Sequence, residues 1–458
     1  MKKLTIKQER IGPLGGYHPW VFSGAFEYIP EGLEAGEPVK LYSKNGDFLA
    51  SGYFNSYSQI AVRIWSYNKD EEIGKQFFLT RIKKALHIRK TYVENQSTNA
   101  YRLINGENDL LPGLIVDKYA DYLVLQFHTG GIEKWKNEII DALEITLKPK
   151  GIFERSDMNV RNIEKLEKTK GVLRGDIPDV INILENGFKF LVDVKGGQKT
   201  GFFLDQRDKR LAIKKYTKNS SVLNCFSYTG GFSVYALAGG ANSVVNVDTS
   251  EAAIELARKN VIANGFDISR CKFVCEDVKK YLKNEEKSFD VIILDPPAFI
   301  KDRRKKKEGV AGYKKINEMA LKIISENGVL VTCSCSAHLS IEDFRYILSE
   351  SGGKARKILS ILECYTHGID HLQLLPFPEG EYLKCFILSV YNCSEYKYFY
   401  LIFNYSVIKV IQKTLNALFP SNSLLCYYRF TSCAPIAQMD RVLDYESKGC
   451  RFDSCWAR

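Results

Sequence analysis

No run of about 18 uncharged apolar residues, the length a membrane-spanning helix needs, occurs in this 458-residue chain. The longest apolar-aromatic stretch, Tyr396 to Ile411, is broken by Asn404, Ser406 and Lys409. A signal peptide is also missing from the pattern, since Met1 to Arg10 is charged and has no apolar centre. These absences predict a cytoplasmic protein that does not associate with membranes. In that compartment the 12 cysteines are expected as reduced thiols. Their close neighbours, Cys271 and Cys275, Cys333 and Cys335, Cys450 and Cys455, form no paired CxxC spacing. A structural zinc is therefore disfavoured and no metal is expected. Acidic side chains are in deficit, 54 against 65 lysines and arginines, which leaves a net charge of +11. A basic balance favours a polyanionic partner, because each neutralised phosphate releases counterions.

What is present divides into three blocks and a tail. Residues 1–72 show apolar-polar alternation in Gln59-Ile60-Ala61-Val62-Arg63-Ile64-Trp65, with turn signals at Gly12-Pro13 and Asn45-Gly46. A small β-barrel fits that pattern. Residues 73–185 mix a basic helical stretch, Phe77 to Lys90, with short strands such as Tyr122 to Leu125. They read as an α+β connecting domain. Residues 186–391 switch to strand–helix alternation, with strands expected at Ser221–Phe226, Ser243–Val247, Lys272–Cys275, Phe289–Leu294 and Gly328–Thr332. Such alternation predicts an α/β fold with a parallel, doubly wound, Rossmann-like sheet that binds ligands at the carboxyl ends of its strands. A polar cluster stands at each of those ends.

After the first of these strands, which ends at Phe226, comes the turn Ser227-Tyr228-Thr229-Gly230-Gly231-Phe232. Glycine lets backbone approach a ligand closely, yet the G-x-G-x-x-G turn that seats a pyrophosphate is missing. A nicotinamide-dependent oxidoreductase is thereby disfavoured. S-adenosylmethionine has no phosphate, so a shorter turn through Phe226, Tyr228 and Gly230 suffices for it. Asp248, about 20 residues further at the second strand's end, is suited to the ribose hydroxyls. Asp277, at the third strand's end, is suited to the adenine amino group. Aspartates in such places can also simply cap helices.

Asp295-Pro296-Pro297-Ala298-Phe299 leaves the fourth strand. Two prolines stiffen this loop and remove backbone donors. Asp295 can then hydrogen-bond the edge of a flipped base while Phe299 stacks on it. The fifth strand ends in Thr332-Cys333-Ser334-Cys335-Ser336. A thiolate adding to carbon 6 of cytosine makes carbon 5 nucleophilic, which is covalent catalysis. In a strand Cys333 and Cys335 face the same side, so either could reach the cleft. Both could equally be buried structural thiols.

Three further stretches carry a family resemblance. Tyr17-His18-Pro19-Trp20-Val21-Phe22-Ser23-Gly24 resembles the opening motif, Gly197 to Arg207 the motif before the cofactor turn, and Phe377 to Cys385 the closing strand of one family. That family is the large-subunit ribosomal RNA cytosine-C5 methyltransferases with an N-terminal PUA domain, and the resemblance covers residues 1 to about 391. It implies a PUA-like RNA-binding barrel, S-adenosylmethionine as cofactor and large-subunit ribosomal RNA as partner. It also implies that Cys335 is the nucleophile, with Cys333 either a proton acceptor or a bystander. RNA contacts are implied for His18, Trp20, Lys199, Gln206, Arg207, Pro296, Pro297 and Phe299. Tyr17, in place of a basic residue, and Leu372, in place of proline, depart from the family pattern. A nucleobase-N or guanine-directed RNA methyltransferase is the alternative within the fold; a catalytically silent RNA-binding assembly factor is the alternative outside enzymes. A homodimer is left open. The tail, residues 392–458, has no counterpart in the family, and its end resembles a translated transfer-RNA gene, as a frameshift or read-through would produce.

Overall fold

Alternation near the N-terminus folds into β1 (Lys2–Thr5), β2 (Trp20–Phe22), β3 (Pro38–Tyr42), β4 (Phe48–Phe54) and β5 (Ile60–Ser66), ordered β1-β3-β4-β5-β2. β1 runs parallel to β3, and the remaining pairs are antiparallel. An isolated bridge between Ile6 and Phe26 joins the continuations of the two outer strands and closes a small barrel. Leu4, Val39, Leu41, Ala50, Val62 and Ile64 fill it. This computed structural model describes residues 1–392, so the tail assigned to read-through lies outside the described residues from Cys393 onward.

The second sheet contains β6 (Ala100–Asn105), β7 (Leu114–Tyr119), β8 (Tyr122–Phe127), β9 (Gly151–Ser156) and β10 (Thr169–Gly175), in the order β10-β9-β8-β7-β6. The helices Lys75–Tyr92 and Lys136–Leu147 share a core with it, in which Phe78, Ile82 and Ala85 meet Ile139, Ile140 and Leu143. A hairpin of β11 (Ile181–Glu185) and β12 (Phe188–Val192) follows. Asn186 and Gly187 join its strands with φ of 50° and 83°, the two left-handed residues that a tight type I′ turn requires.

The third sheet holds the site. Its strands are β13 (Ser221–Cys225), β14 (Ser243–Asp248), β15 (Cys271–Cys275), β16 (Phe289–Leu294), β17 (Ile324–Ser334), β18 (Lys357–Tyr365) and β19 (Lys384–Asn392). Their order is β15-β14-β13-β16-β17-β19-β18; the first five are parallel, and β19 is antiparallel to both neighbours. Both faces are buried: Val222, Val244 and Val291 point into one core, Leu223, Ile292 and Leu330 into the other. That double burial is why these strands read as nearly continuous apolar runs. From β13 the chain winds outward through β14 and β15, then returns to the other side of β13 as β16. The reversal opens a crevice at the carboxyl ends of β13 and β16, where open α/β sheets bind ligands. Among the described residues no helix is long and apolar enough to cross a membrane.

Candidate active site

The turn after β13 alternates in hand. Phe226, Tyr228 and Gly230 have φ of 58°, 46° and 73°, while Ser227 and Thr229 between them do not share that sign. Left-handed backbone costs a non-glycine residue about 1–3 kcal/mol and persists where its surroundings impose it. A Cβ on Gly230 would lie 2.8 Å from that of Ala257, so glycine is what lets the helix Glu251–Ala263 pack against the turn. Ser250 caps that helix by accepting from the Ala253 N–H. Asp248 ties the turn to β14: one carboxylate oxygen accepts from the Tyr228 N–H at 2.9 Å, the other from the Ser250 N–H at 3.0 Å. Each oxygen keeps a second lone pair for a ligand. Asp277 caps the helix Val278–Asn284 through the Lys280 N–H at 3.0 Å. It is nonetheless exposed at the cavity wall, so capping and ligand binding are compatible there.

Phe226, Ser227, Tyr228, Thr229, Asp248 and Asp277 line one cavity of about 810 Å³, together with Asp295, Pro296, Pro297, Phe299, Lys199, Gln206 and Cys335, while Gly230 stands behind the turn against Ala257. Gln206 donates its side-chain N–H to the Asp295 carboxylate at 2.8 Å. Burial pushes the Asp295 carboxyl up to about 6; Asp205 adds to the rise, while Lys199, Arg210 and the Gln206 hydrogen bond oppose it. Burial would also raise Asp205, but Lys199, His371, the Tyr382 hydroxyl and Lys209 hold it well below the usual carboxylate range. Lys199 Nζ stands 3.1 Å and Tyr382 Oη 2.7 Å from the same Asp205 oxygen. The other Asp205 oxygen is buried without a partner among the described residues. Cys335 donates its S–H to the Pro296 carbonyl at 3.8 Å. Burial pushes its thiol up to about 11, with Lys199 opposing and the two aspartates reinforcing the rise. The resting site therefore holds a protonated thiol beside a carboxyl raised toward neutrality.

Besides Gly230, four expected site residues stand outside this cavity. Cys333 lies outside the cavity, fully buried in the sheet's core and paired across β17 and β19 with Cys385. The two cysteines do not share a side because ladder pairing stops at Ser334, and Cys335 turns away from strand geometry. Arg207 is likewise absent from the cavity wall. It is buried in a pair with Asp370 at 2.9 Å and donates to the Ala100 carbonyl, which ties the third sheet's domain to β6. His18 and Trp20 do not reach the cavity either. Trp20 donates its indole N–H to Glu107 at 2.8 Å and packs edge-on to Phe377 at 4.7 Å, while His18 meets Glu379 at 3.2 Å. They join the barrel to its neighbours.

Other cavity residues escape a sequence reading. Asp205 and Tyr382 sit inside the second and third resembling stretches, but only the fold brings them within hydrogen-bonding distance. Arg210 also lines the cavity, one helical turn after Arg207, and its guanidinium is fastened to Glu185 at 2.6 Å. Of the two departures from the family pattern, Tyr17 is exposed and packs edge-on against Tyr67, and the Leu372 carbonyl accepts from Asn105 at 3.1 Å. Neither lines the cavity.

The cavity suits S-adenosylmethionine on its own terms. The buried hydroxyls of Ser227 and Thr229 lack partners among the described residues and line the wall with the Asp248 carboxylate. A model of the S-adenosylmethionine-dependent methyltransferase family matches residues 161–363, and one of a PUA-like domain matches residues 4–67. Proteins named ribosomal RNA large subunit methyltransferase I are similar over most of the chain. That of Tolumonas auensis is 41% identical over 384 residues, 83% of this chain and 97% of that protein. That of Aeromonas salmonicida is 43% identical over 371 residues, 80% of this chain and 94% of that protein. A solved SAM-dependent methyltransferase from Streptococcus mutans shares 26% identity with a TM-score of 0.74, covering 85% of this chain and 100% of its own. Another, a methyltransferase complexed with SAH, shares 27% identity with a TM-score of 0.75 at the same coverage. The chain belongs to the family of the ribosomal RNA large subunit methyltransferase I proteins, a PUA-like domain joined to an S-adenosylmethionine-dependent methyltransferase.

Proposed function

We propose that this enzyme methylates carbon 5 of a cytosine in large-subunit ribosomal RNA, with Cys335 as the covalent nucleophile. One observation carries the reading: a cysteine thiol, Cys335, shares the cavity with Asp295 and the cofactor-binding turn. Methylation of an exocyclic amine needs no thiol, whereas carbon 5 of cytosine becomes nucleophilic only after addition at carbon 6. The names of the relatives supply the substrate class.

Asp248 and Asp277 hold the ribose and adenine sides of the cofactor, and S-adenosylmethionine supplies an electrophilic methyl group when bound. As the sulfur of Cys335 bonds to carbon 6, the thiol proton passes by way of the Asp295 carboxylate to N3; the electron pair of the 5,6 double bond shifts to the 4,5 position and that of the 3,4 double bond onto N3, which leaves an enamine nucleophilic at carbon 5. A carboxyl near 6 exchanges protons readily at neutral pH, so Asp295 is suited to serve N3, with Gln206 fixing its orientation. Once carbon 5 carries the methyl group, loss of its proton to a base and return of the N3 proton to Asp295 expel the Cys335 thiolate and restore the ring. Phe299, tilted against Tyr313 at 4.7 Å, offers a stacking face.

RNA carrying 5-fluorocytosine tests this reading, because fluorine cannot leave as a proton does. The wild type should form a complex that survives denaturing gels, Cys335→Ala should form none, and Cys333→Ala should still trap. Trapping by Cys335→Ala, or loss of trapping in Cys333→Ala alone with its fold intact, would overturn the assignment.

A further inference from the structure

Immediately after the Asp295–Phe299 loop the chain carries Lys301-Asp302-Arg303-Arg304-Lys305-Lys306-Lys307, in which six of seven side chains are basic. Its two ends are pinned to the cavity wall. At the front, the Ile300 N–H donates to the Ser336 hydroxyl at 3.1 Å, one residue beyond Cys335. At the back, the helix Lys306–Lys322 crosses so close that a Cβ on Gly309 would lie 2.8 Å from the Phe299 carbonyl. Gly312 abuts the Phe299 ring in the same way. The run is thus a short loop and first helical turn held beside Phe299 and Cys335.

Within it, Asp302 is engaged by Arg304 at 2.5 Å, and Lys306 is engaged by Asp343 at 2.6 Å. Lys301, Arg303, Lys305 and Lys307 are exposed and have no carboxylate partner among the described residues. Lys279 adds a fifth cation: it lines the cavity and reaches over the Phe299 ring at 5.6 Å, also without a carboxylate partner among the described residues. Like charges concentrated in this way repel one another, and among the described residues no carboxylate pairs with these five. A polyanion does, through release of its counterions.

We infer that Lys301, Arg303, Lys305 and Lys307 form a phosphate-binding rim that holds the RNA strand flanking the base presented to the cavity. The inference rests on the proposed RNA substrate and adds where its backbone runs: past the Phe299 side of the mouth, from Lys279 toward Lys307. Arg304 and Lys306, already paired, shape the loop and are not counted among the contacts. Such contacts carry no base readout; they position the strand.

The test replaces Lys301, Arg303, Lys305 and Lys307 together by serine and measures binding of a short fluorescent single-stranded RNA across a salt series. Each lost contact to a single strand should flatten the slope of log affinity against log salt by about 0.7, so four should remove roughly 2–3. Affinity should fall roughly 10- to 100-fold at moderate salt, while S-adenosylmethionine affinity and melting temperature stay at wild-type values. A matched variant, with Lys69, Lys83, Lys84 and Lys90 changed to serine, should lose much less. An unchanged slope in the rim variant, or an equal loss in the matched variant, overturns the inference. Product analysis of the wild type separates this from the reading beneath it. If wild type forms no 5-methylcytosine but the rim variant loses its slope, the reaction assignment fails and the rim stands. If 5-methylcytosine forms and the slope is unchanged, the rim fails alone.

Discussion

Lys384 Nζ donates to the Ser336 carbonyl at 2.7 Å, one residue beyond Cys335, and to the Tyr382 carbonyl at 2.9 Å. The ammonium is buried, and burial brings it down to about 8 against the pull of Cys335, Glu381 and Asp343. It staples the loop carrying the thiol to the segment carrying Tyr382. Lys384→Met removes both charge-assisted bonds and strands two carbonyls, so it should destabilise the protein by about 2–3 kcal/mol in urea unfolding. Its yield of 5-fluorocytosine adduct should fall further than its cofactor affinity, and Lys384→Arg should recover part of that yield. Equal loss of both properties would leave Lys384 a purely structural residue.

The thiol of Cys335 is pushed up to about 11 by burial, so the free enzyme contains little thiolate at neutral pH. Its alkylation by iodoacetamide, followed by mass spectrometry of the labelled peptide, should accelerate about tenfold per pH unit through pH ~10. A free cysteine peptide levels out near its ordinary value of about 8.5. A plateau near that value for Cys335 would mean that the resting site activates the thiol, contrary to this geometry.

Asp295 titrates higher in the fold, near 6, than the ordinary 3.8 of an aspartate. A raised carboxyl favours the native state where it is protonated; that advantage is complete below about 4 and is lost as pH rises through 6. Above pH ~6 the buried carboxylate therefore costs roughly 3 kcal/mol, from about two units at 1.36 kcal/mol each. Asp295→Asn keeps an acceptor for Gln206 and removes that cost. Thermal melts should show the variant more stable than wild type at pH ~8 and equal to it at pH ~4, with methylation abolished. A stability difference that does not change with pH would contradict the shift.

Asp248 holds two backbone N–H groups and faces the cavity. Asp248→Ala should weaken S-adenosylmethionine binding by about 1.5–3 kcal/mol in calorimetry, the typical cost of a hydrogen bond to a charged group. Asp248→Asn serves as the control for folding, since it retains one acceptor for the turn. Unchanged affinity in both variants would remove Asp248 from the cofactor site.

β19 ends at Asn392, paired with Lys357, and the relatives from Tolumonas and Aeromonas are covered over 97% and 94% of their lengths by the part of this chain they match. A chain ending at Asn392 should melt at the same temperature and methylate RNA as well as the full chain. Loss of soluble protein on that truncation would count against read-through as the tail's origin.

By itself the sequence determines the parallel sheet and the polar residues at its strand ends. β14 and β16 run as read to Asp248 and Leu294, because doubly buried strands are local apolar runs with abrupt polar ends. The turn through Phe226, Tyr228 and Gly230, Asp295 with its prolines, and Phe299 are legible for the same reason: each is contiguous along the chain. Cys333 and Cys335 differ in a way no local pattern records, since the choice depends on β17 pairing with β19 as far as Ser334 and no further. Arg207, His18 and Trp20 sit in motifs that resemble RNA-contacting ones. Only tertiary structure shows that Arg207 pairs with Asp370, that His18 hydrogen-bonds Glu379 and that Trp20 packs on Phe377, all far along the chain. Asp205 and Tyr382, 177 residues apart, share one hydrogen bond. Periodicity and spacing report on neighbours in sequence, whereas the partner that neutralises a buried charge is chosen by packing across the whole fold.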